Sequence, residues 1–297
     1  MIRPITRSLL ASVVLTIVVA VPASAQLAGL DTLETELIDP GAEPRQELRY
    51  RFEEGQSGTM GMEVGIAMSN LMDGAPVMDM EMLMSAEVDT LVSEVYDDGS
   101  ARVEMVYTSY ELALSEALAQ AELDLVSDMF VGLEMWQVVD PMGTVLEVGL
   151  GDTDLPPELQ QEMLDTTTAT QPLPAEPVGL GARWVAQGSM DAEGIPMQLA
   201  VTSEVIELDD DSVVLGLTIA ADAEFASSMF DELPDADVSV GRFFMDGGGE
   251  VSVDFDSIVP ESDAEIELVL EMTVGGEGMA VDVAMDVLTS MLVFPVE

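Results

Sequence analysis

The chain has 297 residues, of which 58 are Asp or Glu and eight are basic, and its formal charge at neutral pH is −50. It has no histidine or cysteine, and every basic residue is an arginine; this removes Ser-His-Asp triads, Cys nucleophiles and His- or Cys-based zinc sites. The charge also sets the chain against nucleic acid and anionic lipid surfaces, which reward clustered Lys and Arg. Disorder at such charge requires low hydrophobicity, whereas 48% of the residues are hydrophobic and the mean hydropathy is +0.30.

Residues 1–25 read as a secretory signal. Arg3 and Arg7 precede an uncharged apolar run from Leu9 to Val21, and Ala23-Ser24-Ala25 fits the small-x-small rule for cleavage after Ala25. The run falls short of the roughly 20 residues of a membrane span. The expected location is therefore secreted or periplasmic, with no transmembrane segment after signal cleavage. Without cysteine there is no disulfide and no lipid-modified N-terminal Cys.

Residues 26–46, punctuated by Pro40, Gly41 and Pro44, read as a loosely ordered arm. Residues 47–165 read as a first β meander with helices. Leu48, Tyr50 and Phe52 alternate with polar residues, then Met60, Met62, Val64, Ile66 and Met68 form a stripe. After Asp73-Gly74 comes the stripe Met78, Met80, Met82, Met84, Ala86 and Val88. Asp97-Asp98-Gly99 signals a hairpin, from which Ala101 to Leu114 returns as a strand. Leu118, Ala121, Leu125, Met129 and Leu133 recur at helical spacing, predicting a long helix over 115–132 that stops at Gly132. A hairpin follows at Asp140-Pro141-Met142-Gly143, then a short helix capped by Asp154 with Pro156 and Pro157 in its first turn.

Residues 166–177, rich in Thr and Pro, read as a linker, and residues 178–297 as a second β meander. Its predicted strands are 183–189, 197–205, 213–219, 242–245, 250–256, 264–274 and 279–287, with turns at 209–211, 247–249 and 275–278. Pro76-Val77-Met78 and Ile195-Pro196-Met197 open matching long strands, so the halves look related. The predicted fold is mainly β with a minor α component (α+β). It is a curved antiparallel sheet or half-barrel, in one piece or as two related lobes, with one long and one short helix. An outer-membrane barrel shares the alternation but requires aromatic girdles, and only 5% of these residues are aromatic.

Acids alternate with apolar residues, as at Glu265, Glu267 and Glu271. Like charges at i and i+2 sit roughly 7 Å apart and repel unless salt screens them. The pattern implies halophilic adaptation, a merely solvated acidic face being the plainer reading.

The segments Leu48 to Gly55, Met78 to Met84, Tyr96 to Gly99, Asp140 to Gly143 and Gly181 to Trp184 resemble a family of exported bacterial proteins of unknown function. Many of its members are lipoproteins with a Met-rich antiparallel β meander. The resemblance implies an exported β protein and no catalytic residue, and the missing cysteine departs from the lipoprotein members. The predicted shape is also similar to the half-barrel sheets of periplasmic lipoprotein carriers.

The 22 methionines supply the candidate site. Met60, Met62, Met78, Met80, Met82 and Met84, with Leu268, share inward positions. Pliant thioethers suit a hydrophobic or lipid-like ligand, Cu(I), or plain core packing. Acid clusters at Asp152 and Asp154, Asp209 to Asp211, Asp235 and Asp237, Asp246 with Glu250, and Asp254 with Asp256 lack any calcium-loop spacing and read as turn acids. A glycosidase needs only two carboxylates, but nothing selects a pair. Trp136 and Trp184 read as strand tryptophans rather than sugar platforms. The sequence thus points to an exported acidic β protein without catalysis, metal or cofactor, whose partner is a lipid-like small molecule. The alternative is a structural or interaction protein of the cell envelope with a packed core. A cavity lined by Met62, Met80, Met82 and Leu268 separates the two.

Overall fold

The computed structural model describes residues 34–115, 127, 129–153, 160, 171–192, 195–223, 237–276 and 279–296. These form strands β1 (Glu34–Asp39), β2 (Ser57–Met72), β3 (Ala75–Val95), β4 (Ala101–Leu114), β5 (Glu134–Val139) and β6 (Val145–Leu150). The second half adds β7 (Arg183–Ala192), β8 (Ile195–Leu208), β9 (Ser212–Ala223), β10 (Asp237–Asp254), β11 (Glu261–Gly276) and β12 (Met279–Val296).

All twelve join one open, curled antiparallel sheet in the order β1-β7-β8-β9-β10-β11-β12-β2-β3-β4-β5-β6. Each half is a meander, and the two are fused by pairing the last strand of the second with the first long strand of the first. In that seam Met285 of β12 faces Asn70 of β2 and Met291 faces Val64. The hairpins obey local chemistry. Asp73 and Gly74 both take positive φ, 51° and 75°, as a two-residue turn whose twist matches the flanking strands requires. At Asp97–Gly99 and Asp140–Gly143 the closing glycine adopts φ 85° and 80°, and Asp98 and Asp140 carboxylates accept backbone N–H groups of their own turns.

One face of the sheet is apolar. Met62, Val64, Ile66, Met68, Met82, Ala86, Val201, Val205, Leu215, Leu217, Ile219, Val251, Val253, Leu270, Met285, Val287 and Met291 are all buried in a single cluster. One end is sealed by chain outside the sheet. Leu48 and Tyr50 are buried there, Trp184 is fully enclosed and its Nε1 donates to Pro172 O at 3.3 Å. The opposite face carries the acids, including Glu63, Glu81, Glu87, Glu204, Glu250, Asp263, Glu265, Glu267 and Glu271, all exposed. Register staggers them. Glu63 faces Ser85, Glu87 faces Gly61, Glu265 faces Gly248 and Ser290, and Glu204 faces Arg183. Two acid pairs stand directly opposite each other, Asp246 with Glu267 and Glu250 with Asp263.

Several expectations change. Gly247–Gly249 is no turn; it lies inside β10. A Cβ at Gly249 would overlap Asp263 O and lie 2.7 Å from Ala264 Cα, and one at Gly247 would lie 2.6 Å from Glu265 O. The glycines let the neighbouring backbone of β11 approach closely. Within the expected arm, Glu34–Asp39 forms an edge strand paired with β7, because β7 otherwise offers an open ladder of backbone groups. Of the expected linker, Gln171 to Pro174 is buried, with Gln171 N–H donating to the Tyr50 hydroxyl at 3.1 Å. The expected signal peptide lies outside the described residues, as do most residues of the two expected helices, so the long and short helix are not seen. Ser127, Met129, Phe130 and Gln160 are helical where described. The predicted split at 166–177 joins two meanders of one continuous sheet. Among the described residues no helix is long and apolar enough to cross a membrane.

Candidate functional site: the methionine rim of the inner face

Strand alternation sends every second residue of β2 and β3 inward, and antiparallel register lines them up in crosswise rows. One row runs Met80 (β3), Met68 (β2), Val287 (β12), Leu268 (β11) and Met245 (β10). The next holds Met78, Asn70, Met285 and Leu270, and on the other side come Met82, Ile66, Thr289 and Ile266. Leu268 thus shares a row with Met80 although 188 positions separate them in the chain.

The seven candidate residues all belong to this cluster, but they divide in two. Met62 and Met82 are each 4% exposed and form its floor together with Met68, Met285 and Val287. Met60, Met78, Met80, Met84 and Leu268 are half-buried against that floor, as are Met245 and Met272. The result is a buried apolar floor edged by pliant, half-exposed thioethers on β3, β10 and β11. A depression of about 340 Å³ is bordered not by Met62, Met80, Met82 and Leu268 but by Leu71, Glu271, Met272, Thr273, Asp282 and Ala284. It lies mainly on the acidic side, where Asp282 accepts from Thr273 Oγ1 at 2.8 Å.

The floor contains polar atoms that sequence reasoning passed over. Asn70 is 3% exposed, and neither its Oδ1 nor its Nδ2 has a hydrogen-bond partner among the described residues. Gln137, fully buried on β5 opposite Val103, is in the same condition. A buried amide without partners costs about 1–3 kcal/mol, so each is a place where a ligand or water gains by binding. The signal for Asn70 was present in the stripe Met68-x-Asn70-x-Met72, an amide occupying an inward position.

β4 supplies the remaining feature. Its register slips opposite Glu87 and Val88, leaving Thr108 unpaired in the β3–β4 ladder. This bulge brings Tyr107 and Tyr110, three residues apart, onto the same inner face, where both pack against the cluster. The Tyr110 ring stacks on Phe130 at 4.5 Å, with Tyr107 edge-on to both. Burial pushes the Tyr107 hydroxyl up to about 12, helped by Tyr110, and raises that of Tyr110 as well.

For metal chemistry, no group of three or more Asp or Glu side chains is placed to hold an ion among the described residues. Of the turn acids, Asp211 and Asp256 instead bracket Arg51, at 2.9 and 2.7 Å. Trp184 is core, and Trp136 lies beneath the Arg102 guanidinium at 3.9 Å.

No family model matches the chain, and no curated protein matches it. Among solved structures it is similar to an outer membrane channel from Pseudomonas putida, at 9% identity over 83% of this chain and 98% of that one, TM-score 0.21. It is also similar to the outer membrane protein OprG from Pseudomonas aeruginosa, at 9% identity over 81% and 98%, TM-score 0.20. Overlap this low carries no functional argument.

Proposed function

We propose that this is an exported, non-catalytic protein of the cell envelope that holds an apolar, lipid-like ligand against the methionine rim of its curled sheet. The observation that carries this reading is the rim itself. Met78, Met80, Met84, Met245, Leu268 and Met272 stay half-exposed around an otherwise buried floor. A half-exposed thioether costs little to move and adapts to an irregular apolar partner. The outward carboxylates support solubility and suit a water-facing exterior, opposite to the lipid-facing apolar band of a membrane barrel. They also repel nucleic acid and anionic membrane surfaces.

Mature protein titrated with the neutral apolar fluorophore N-phenyl-1-naphthylamine should bind it, and Met80→Gln should weaken binding several-fold without lowering the melting temperature by more than a few degrees. Native mass spectrometry of protein from its own host should show co-purifying lipid. A second reading, a structural or interaction protein with a packed core, is favoured by the deep burial of Met62 and Met82. It predicts no fluorophore binding and a bare protein mass.

A further inference from the structure

Among the described residues, the Tyr110 hydroxyl donates to Met84 Sδ at 3.2 Å. A thioether is a weak acceptor, so almost any carbonyl or ether oxygen arriving at the rim offers that hydroxyl a better bond. The phenol, whose ordinary pKa near 10 burial raises further, is a neutral donor at physiological pH. Met84 is also the last, in chain order, of the half-buried thioethers on β3. From Met84 to Met78 the inward row extends about 20 Å, at roughly 3.4 Å per residue. At its far end the unpartnered amide of Asn70 stands opposite Met78. Among the arginines whose side chains are described, none attends this rim; Arg45 pairs with Glu43 and exposed Arg183 faces Glu204. Arg49 donates to the carbonyls of Leu48, Pro174 and Ala175, Arg51 pairs with Asp211 and Asp256, and Arg102 lies over Trp136 beside Glu104.

We infer that the ligand is a neutral amphiphile whose carbonyl or ether oxygen replaces Met84 Sδ as acceptor for Tyr110 while its apolar chain lies along Met84, Met80 and Met78. This rests on the binding reading above and assigns Tyr110 as its specificity-determining residue. An anionic head group meets no guanidinium among the described residues and faces a molecule of net charge −50, so a free carboxylate is disfavoured. A pure hydrocarbon forgoes the hydrogen bond.

The test is displacement of N-phenyl-1-naphthylamine from the mature protein by three probes of equal chain length: methyl palmitate, hexadecane and palmitate at pH 8. The ester should bind about three- to tenfold tighter than the alkane, the usual net worth of one hydrogen bond, and tighter than the anion. Tyr110→Phe should erase the preference of ester over alkane while leaving alkane affinity in place. Met84→Leu keeps the volume, removes the competing acceptor and should widen the preference. An unchanged preference in Tyr110→Phe, a preference lost in Met84→Leu, or palmitate binding tighter than its ester overturns the inference while leaving the binding reading intact. A wild-type protein that binds neither fluorophore nor alkane overturns the binding reading itself, and this inference with it.

Discussion

Neutralising the two acid pairs that stand opposite each other should stabilise this protein, and only at low salt. Asp246 faces Glu267 and Glu250 faces Asp263 on the exposed face of the β10–β11 ladder. The β10 members isolate the cross-strand effect, since their same-face neighbours along the strand are Phe244, Gly248 and Ser252, and their β9 partners are Ala220 and Gly216. Directly opposed side chains place the charges about 6 Å apart, where two unit charges in water repel by about 0.7 kcal/mol. Screening lengths of about 30 Å at 0.01 M salt and about 3 Å at 1 M reduce this to about 0.6 and about 0.1 kcal/mol. Asp246→Asn with Glu250→Gln should therefore gain about 1 kcal/mol at 0.01 M salt, or about 2 °C in melting temperature for a chain of this size. The gain should all but vanish at 1 M. Glu63→Gln is the control, because Glu63 faces Ser85 and Leu292 and is flanked by Gly61 and Gly65. Thermal unfolding followed by circular dichroism at both salt concentrations reads the effect. An equal gain at both, or the same gain from Glu63→Gln, refutes the reasoning and removes the case for salt-dependent stability.

Two further outcomes are open to measurement. The chain has no histidine, cysteine or lysine, so no side chain titrates between the carboxylates and tyrosine, and the urea midpoint should be flat from about pH 6 to 9. Burial raises the pKa of Tyr50 above its unfolded value near 10, so its contribution is whole below pH 10 and is lost as pH rises, by about 1.4 kcal/mol per unit. A midpoint that drifts between pH 6 and 9, or holds steady past pH 11, contradicts this. Separately, Gly249→Ala should cost about 1–3 kcal/mol by forcing backbone apart. Gly65→Ala, whose Cβ would meet only the movable Ser290 hydroxyl at 2.7 Å, should cost clearly less by urea denaturation.

The inward stripes were legible because strand alternation is local. Met78 to Met84 point inward whatever strands flank them, and the returning strand 101–114 emerged with its boundaries as predicted. The hairpins at Asp73-Gly74, Asp97–Gly99 and Asp140–Gly143 were legible for the same reason, since a closing glycine at positive φ is a demand of the turn alone. The triple glycine misled because the same residue serves a turn or a close backbone approach within a strand. What distinguishes them is the approach of Glu265 and Asp263, which belong to the next strand.

Period-two alternation and the excess of carboxylates thus determined, from the chain alone, a β protein with an apolar inside and an acidic outside. Only the tertiary structure decided which inward residues meet. It placed β12 between β11 and β2, so that Leu268 joins the row of Met80, and it slipped β4 by one residue to bring Tyr110 beside Met84. Pairing order and bulges depend on hydrogen bonds between segments far apart in sequence, and no local pattern encodes them.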